Sequence, residues 1–416
     1  MKNTFAPVFA LLISVSILLT GQGLQGTLLP VRASLEQFPT LAIGAMGAAY
    51  FIGFTLGCLK GGELVRRVGH VRVFLAMSAL ASASPLVHAL AIQPLTWGLL
   101  RLVTGFCLAV LYVVIESWLN ERSTNETRGI VFSTYAMITL TVLAIGQMLT
   151  LVYDPADFEL FIIASVLVSL GAVPIALSTS PSPEQPQAAS VDIPRLFVIS
   201  PSGALGCLAA GFANGAFWSL APVFTATVSG GTDLAAWFMT SAVVGGAITQ
   251  WPIGLLSDKF SRRGTLIAVT AVGSLVGMAL GLYGPTMSFV MVNVVGALWG
   301  ALAFPLYTIS VAYANDHAEP HEYVTVSSGL LLMYGVGATI GPFIASALMT
   351  IREAGYLFVF AAMTHGVLAF YTVARSLRKD QHDIDTPITF GDALAATQTA
   401  SHIYEEEILQ EDEPAA

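Results

Sequence analysis

Uncharged stretches of about 20 residues recur along the whole chain, and this feature constrains the fold more than any other. A helix needs about 20 predominantly apolar residues to cross the hydrocarbon core of a membrane. Twelve such stretches follow one another, from Val8–Leu29 to Tyr356–Ala374. Only 10% of the 416 residues are charged, whereas soluble domains contain about a quarter. The sequence therefore predicts an all-α membrane protein with twelve transmembrane helices and the lipid bilayer as its solvent.

The distribution of basic residues predicts the orientation of these helices. Of the 17 Lys and Arg residues, only Arg32 and Arg352 fall in loops on the side opposite to the N-terminus, and Arg101 falls within a span. Basic residues collect on the cytoplasmic side of membrane proteins. We therefore expect both termini to be cytoplasmic, in the inner (plasma) membrane of a bacterium.

One segment divides the twelve spans into six and six. Ser178–Asp192 reads STSPSPEQPQAASVD, a composition that cannot bury an apolar core and that is typical of linkers. We expect an N-terminal six-helix bundle over residues 1–177, a cytoplasmic linker over 178–199 and a C-terminal six-helix bundle over 200–376. The remainder, 377–416, is predicted to be an acidic, disordered cytoplasmic tail.

The second half of the chain repeats the first at an offset of 192 residues. GQGLQGTLLPV at Gly21–Val31 falls on ANGAFWSLAPV at Ala213–Val223, and Gly53 falls on Gly245. Since each half contains six spans, both copies lie the same way up in the membrane. Parallel repeats with a path between them are an arrangement found in secondary transporters.

A motif follows the second span of each half. GLLSDKFSRRG, from Gly254, keeps most of the pattern G-x-L-x-D-R-x-G-R-K, and GELVRRVGHVR, from Gly62, keeps part of it but has Arg66 in place of the aspartate. With both copies at the repeat offset, the chain resembles the major facilitator superfamily over most of its length. The resemblance implies two parallel-repeat six-helix bundles of the major facilitator fold and a cytoplasmic gate. The expected gate residues are Gly62, Arg66, Arg67, Gly69, Gly254, Asp258, Arg262, Arg263, Asp316, Glu319 and Glu322.

The substitution at Arg66 predicts that the latch of the first half is charge-swapped. In the family, the aspartate of the first copy engages the inner end of the eleventh helix. Here the loop before that helix reads ANDHAEPHEY and carries the acids Asp316, Glu319 and Glu322. We expect Arg66 to pair with one of them, and Asp258 to engage the start of the fifth helix. The alternative is that these charges only set the topology.

Polar residues inside the spans are candidates for a substrate path. Arg101 lies about 9 Å inside its span, in a sequence that resembles the family's R-x-x-x-G motif and ends at the packing residue Gly105. A charge is costly against lipid, so Arg101 either faces the bundle interior or snorkels to the interface. In the interior it favours a solute with some anionic character. At the 192-residue offset its equivalent is Asn293. The predicted path residues are Arg101, Gln22, Gln25, Gln147, Asn214, Trp218, Gln250, Asn293, Tyr307 and Tyr334.

Two further runs resemble the family. Gly337, Gly341 and Pro342 match its G-x-x-x-G-P motif, which marks antiporters in some branches but is also ordinary helix packing. The run IESWLNERSTNETRG, which begins at Ile115, resembles the YcaD-like branch of bacterial permeases. Within it, Glu116 either anchors a helix end at the inner interface or couples transport to protons.

These patterns predict a secondary active transporter, a permease or exporter that moves a small solute by alternating access. The alternatives are a transporter-like membrane sensor and a passive facilitator without ion coupling. The sequence shows no clustered intramembrane side chains of an enzyme, no G-x-x-x-x-G-K-[ST] loop of a pump and no basic surface for nucleic acid. We expect a monomer without cofactor or metal, whose partners are a small-molecule substrate, the lipid bilayer and protons as the coupling ion.

Overall fold

The computed structural model describes residues 8–123, 125–177, 192–228, 231–319 and 322–377. Within these ranges the chain is helical between its turns. The helices are α1 Phe9–Leu35, α2 Thr40–Val68, α3 His70–Leu90, α4 Pro94–Glu121, α5 Asn125–Met148, α6 Glu159–Gly171, α7 Val173–Ala176, α8 Ile193–Ile199, α9 Pro201–Thr225, α10 Asp233–Lys259, α11 Arg262–Tyr283, α12 Phe289–Ala303, α13 Pro305–Asn315, α14 Tyr323–Ile351 and α15 Tyr356–Ser376. We call α1 to α7 the N half and α8 to α15 the C half.

Eleven segments of the described chain are long and apolar enough to cross a membrane. The helix α10 is also long, at 27 residues, but amide and hydroxyl side chains such as Gln250 and Thr249 make it more polar. Together these segments confirm the prediction of an all-α protein with twelve transmembrane helices. Most of the predicted linker, residues 178–191, and the predicted tail, residues 378–416, lie outside the described residues.

Two spans differ from their predicted form. The tenth, predicted as the continuous span Met287–Ala312, is broken at Phe304 into α12 and α13. The break has a physical cause, since Pro305 lacks the N–H that would continue the hydrogen-bond ladder. The first span, predicted to end at Leu29, continues as a helix to Leu35. An apolar boundary marks the edge of the lipid, whereas a helix ends only where its hydrogen bonds end.

The helices run between two ends of one bundle. The linker end holds the start of α1, the helix α8 and the short connections α2–α3 and α10–α11, and the opposite end is the distal end. At the distal end one apolar cluster joins the two halves. This distal cluster includes Leu28 and Met46 from the N half together with Phe217, Phe238 and Met349 from the C half.

At the linker end each half packs around a cluster of its own. The N-half cluster, which includes Leu111 and Phe132, contains residues of the N half alone. The C-half cluster includes Ile309 and Leu330, and one buried residue of the N half, Phe51 from the middle of α2, joins it. The apolar core therefore connects the halves at the distal end and in the middle, and divides toward the linker end.

Glycines hold the helices of each half together through close backbone contacts. A Cβ on Gly53 of α2 would overlap the carbonyl oxygen of Leu102 in α4. In the C half, a Cβ on Gly245 of α10 would overlap the carbonyl oxygen of Ala297 in α12. The same contact thus occurs in both halves. The two glycines, Gly53 and Gly245, are 192 positions apart in the sequence, but the residues they meet, Leu102 and Ala297, are 195 positions apart. The C half contains three extra residues before α12.

This register corrects one prediction. The offset of 195 makes Gly296, and not Asn293, the equivalent of Arg101. A shift of three residues rotates a helix by nearly a full turn, so Asn293 lies about one turn away from the predicted position. The C half therefore has a glycine where the N half has Arg101, and this charge is a feature of the N half alone.

We expect Gly105→Val to lower the yield of folded protein several-fold. A side chain at Gly105 would overlap the carbonyl oxygen of Tyr50, a backbone atom that cannot move aside. Gly98→Val on the same helix is the matched control, because a Cβ there meets nothing within 4 Å. Fluorescence-detected size-exclusion chromatography of both variants measures the effect. Equal yields of the two variants would contradict the packing role of Gly105.

Candidate functional site

One charged side chain inside the N half stacks on an aromatic ring. The helix α4 places the guanidinium carbon of Arg101 4.1 Å from the ring centre of Tyr50 in α2, which is a cation–π geometry. From α1, the amide nitrogen of Gln22 lies 3.4 Å from the hydroxyl of Tyr50. The close approach of α4 to α2 depends on Gly105, one turn beyond Arg101. Three helices of the N half therefore converge on Tyr50, and Arg101 faces the bundle interior.

Several polar atoms of this group are buried without a hydrogen bond among the described residues. They are Nη1 of Arg101, Oε1 of Gln22 and both amide atoms of Gln25, which is 1% exposed. Gln22 and Gln25 lie one turn apart on the same face of α1. The ionisable side chains that interact with Arg101 are Tyr50 and His88, neither of which is negative at pH 7. The group thus contains a positive charge that no described carboxylate balances.

The C half contributes aromatic side chains without a charge. Tyr307 and Tyr334 make an edge contact with ring centres 5.1 Å apart, and Trp218 stacks on Phe304 at 5.6 Å. Tyr307 and Trp218 are partly buried and pack against the C-half cluster, as Tyr50 does from the N half. The structure therefore brings these predicted path residues to the boundary between the halves, near the Arg101 group.

Among the described residues, the other predicted path residues form no hydrogen bond with this group. Gln147 of α5 accepts a hydrogen bond from the hydroxyl of Thr240 in α10 at 3.3 Å, and this bond links the halves at the distal end. Asn214 is buried, and its Oδ1 has no hydrogen-bond partner in the described chain. Asn293 and Gln250 form hydrogen bonds within the C half, Asn293 with Ser241 at 3.3 Å and Gln250 with Thr308 at 3.2 Å.

A second ionisable group of α4 lies buried toward the linker end. Glu116 is 5% exposed, and Tyr135 of α5 lies within electrostatic range of its carboxylate. Tyr112 and Cys58 lie within electrostatic range, and so does Tyr307 from the C half. A carboxylate that anchors a helix end at the headgroups would be exposed. The buried position does not fit that interpretation and leaves the coupling role as the proposal.

The tyrosines next to Arg101 and Glu116 were not among the residues predicted from the sequence. Tyr50 supports Arg101, whereas Tyr112 and Tyr135 surround Glu116. Single tyrosines are common in membrane spans and carry no signal of their own. The spacing of Tyr112 could have placed it beside Glu116, since it lies one helical turn before Glu116 on the same face of α4.

Three charged gate residues of the C half, Arg262, Asp258 and Asp316, form an ion triad at the linker end. Arg262 is 7% exposed. Its Nε lies 2.6 Å from Asp316 and its Nη2 lies 3.2 Å from Asp258. Close by, Arg195 of α8 pairs with Glu322 at 2.6 Å and ties the end of the linker to α14. These pairs lie within the C half, and the expected contact of Asp258 with α5 stays a prediction.

The matching positions of the N half carry different chemistry. At the offsets established above, Asp258, Arg262 and Asp316 correspond to Arg66, His70 and Glu121. Arg66 is exposed, and no described residue forms an ion pair with it. His70 is buried with its ring centre 6.0 Å from that of Trp118. The pairing of Arg66 with an acid of the C half stays a prediction for a conformation in which the linker end is closed.

The other predicted gate residues differ in how far they are exposed. Arg67 is exposed and pairs with Glu63 at 2.5 Å. Gly69 joins α2 to α3 with a φ of 94°, a left-handed conformation that favours glycine. Gly254 is buried, Gly62 and Arg263 are half-buried, and Glu319 is exposed.

The glycines of α14 serve helix packing. A Cβ on Gly337 would overlap the carbonyl oxygen of Leu208 in α9, and one on Gly341 would overlap that of Phe212. Pro342 lies one residue further and faces α2 across the boundary between the halves. These contacts account for the motif without any inference about antiport.

Known proteins resemble this chain in sequence. The family described as Major Facilitator Superfamily matches residues 11–342 and 203–403. A relative from Escherichia fergusonii, described as the uncharacterized MFS-type transporter YcaD, is 26% identical over 381 residues, which are 90% of this chain and 96% of the relative. The predicted resemblance to the YcaD-like branch is confirmed.

Solved structures share its fold. The nucleoside transporter NupG superposes with a TM-score of 0.75 at 14% identity, over 90% of this chain and all of that one. A bacterial homolog of the human lysosomal transporter Spinster, in an inward-facing and occupied conformation, has a TM-score of 0.67 at 15% identity, over 96% of this chain and 97% of that one. With a family match that covers most of its length and the same two-bundle fold, this chain belongs to the Major Facilitator Superfamily.

Proposed function

We propose that this protein is a secondary active transporter that moves a small solute across the membrane by alternating access. The observation that carries the proposal is the division of the apolar core. The distal cluster contains residues of both halves, whereas toward the linker end each half packs around its own cluster. In transporters built from two repeats, the halves rock about a site between them. The division fits a conformation that is closed at the distal end and open at the linker end.

The linker end faces the cytoplasm of the inner membrane in this proposal. The end of α2 and the start of α3 carry Arg66, Arg67 and Arg72 there, whereas the basic residues at the distal ends of the helices are Arg32 and Arg352. This asymmetry follows the positive-inside rule. The conformation is then inward-facing, and one chain is sufficient because the path lies between its own halves.

Protons are the coupling ion in this proposal, and Glu116 is the group that carries them. Buried carboxyl groups in membrane spans are expensive and mark proton relays. Tyr135 of the N half and Tyr307 of the C half both lie within electrostatic range of Glu116. A change in its charge therefore acts on both sides of the boundary that must open and close.

A disulfide across the distal end tests alternating access. The hydroxyl of Thr240 lies 3.4 Å from the carbonyl oxygen of Ala144, so Ala144→Cys with Thr240→Cys places one thiol from each half close to the other. The experiment uses a background in which Cys58, Cys107 and Cys207 are replaced by alanine. We expect oxidation to reduce flux at least about tenfold by holding the distal end closed. A reductant should restore it, and each single cysteine should have no effect.

Flux is measured in proteoliposomes loaded with a defined mixture of small carboxylates, nucleosides and sugars, followed by mass spectrometry. If every component leaves the proteoliposomes no faster than it leaves loaded vesicles without protein, the result would favour a sensor. A flux that the disulfide does not change would exclude alternating access. A flux that a pH gradient does not change would favour a passive facilitator.

A further inference from the structure

We propose that the Arg101 group binds the carboxylate of an aromatic organic acid. The inference rests on the proposed transport function and identifies its substrate class. Among the described residues, Nη1 of Arg101 has no hydrogen-bond partner although it is buried, and the ring centre of Tyr50 lies 4.1 Å from the guanidinium carbon. A buried cation of this kind is costly unless a negative group pairs with it. Because no described carboxylate does so, the solute provides the counter-charge.

The number and kind of polar groups define the charged end of the solute. Arg101 is the one basic residue within the group, so the site balances a single negative charge. A guanidinium presents parallel N–H donors that match the two oxygens of a carboxylate. On α1, the amide oxygen of Gln22 and, one turn further, both amide atoms of Gln25 are buried without partners among the described residues. These amides suit a further hydroxyl or carbonyl group on the same solute.

The surrounding rings define the rest of the solute. Tyr50 lies 5.2 Å from Phe51 and 6.2 Å from Phe54 between ring centres. On the C half, Tyr307 and Trp218 pack against the same cluster as Tyr50. Aromatic rings on both sides of the boundary favour a planar body that stacks between the halves. The N half thus recognises the charge, and the C half contributes neutral aromatic surface.

A set of four matched compounds tests this assignment on purified protein by thermal shift and calorimetry. Phenylacetate combines a ring with a carboxylate, phenylacetamide is its neutral isostere, 2-phenylethylamine is a cation, and acetate lacks the ring. We expect phenylacetate alone to raise the melting temperature, by selective binding to the folded state. Arg101→Gln should weaken this binding at least about tenfold. Arg101→Lys, which keeps the charge but not the planar fork, should give an intermediate value.

Arg352→Gln, at an exposed distal position, is the control and should bind phenylacetate as the unmodified protein does. Equal stabilisation by phenylacetamide, or unchanged binding in Arg101→Gln, would overturn the proposal. So would the absence of any shift with phenylacetate, benzoate and indole-3-acetate. If Arg101→Gln does not accumulate, Arg101→Lys and the comparison of acid with amide decide the question. Binding in detergent needs no rocking of the halves, so its failure leaves the disulfide test of transport unaffected.

Discussion

Arg262→Ala is expected to lose most of its folded protein, with a fall in stability of roughly 3–5 kcal/mol. The guanidinium of Arg262 lies between Asp258 and Asp316 at 3.2 and 2.6 Å. The side chain of Asp316 is only 3% exposed, so its charge is largely shielded from water. The expected loss is large because it leaves a buried carboxylate without its nearest cation. The melting temperature and the yield of monodisperse protein measure it.

Two further variants separate this effect from a general loss of positive charge. Arg263→Ala removes the neighbouring, half-buried arginine and should change the melting temperature little. Arg262→Met combined with Asp316→Leu removes both buried charges and should recover most of the lost stability, as replacements of buried ion pairs by apolar residues often do. A double variant no more stable than Arg262→Ala would show that the triad is not the source of the effect.

Glu116→Gln is expected to abolish the response of the conformational equilibrium to pH. Spin labels at Val68 and Phe260, exposed positions at the linker end of each half, report the separation of the halves. In the unmodified protein this separation should change between acidic and alkaline pH, because protonation removes the charge of the buried carboxyl group. Glutamine mimics the protonated form. Glu116→Gln should therefore show the low-pH distribution at every pH, as measured by double electron–electron resonance.

Glu63→Gln is the matched control for this experiment. Glu63 lies in the same half at the linker end, but its side chain is 38% exposed and forms surface pairs with Lys60 and Arg67. Its replacement should leave the pH response unchanged. A pH response that persists in Glu116→Gln would assign the coupling to another group, and an absent response in the unmodified protein would remove protons from the proposal.

The helices could be predicted from the sequence because lipid imposes one simple requirement, a run of apolar residues of sufficient length. The repeat register could be predicted only in part. The matches that established the offset of 192 lie in the first two spans of each half, before the three extra residues of the C half. Beyond that insertion, apolar spans of similar composition align equally well at several offsets. The error at Asn293 arose there.

The charges of the site were predictable, but the groups around them were not. A charge such as Arg101 inside an apolar span has to face the protein interior, because its exposure to lipid would be costly. Its place in an interior site is therefore predictable. The rotation of each helix about its axis depends on contacts between distant segments. Sequence patterns therefore could not reveal that Tyr50 supports Arg101 or that Tyr135 supports Glu116. For the same reason they could not show that Gln147 and Gln250 lie elsewhere.

At the boundary between the halves, glycines first meet hydroxyl side chains and not peptide carbonyls. A Cβ on Gly47 of α2 would meet the side chain of Ser219, and one on Gly335 of α14 would meet that of Thr55. A substitution can shorten or remove such a side chain, whereas no substitution removes the peptide carbonyls that glycines meet inside each half. Substitution of a few small residues along this boundary can therefore change how easily the halves separate, while each bundle keeps its fold. Related carriers with different turnover rates can arise from one scaffold in this way.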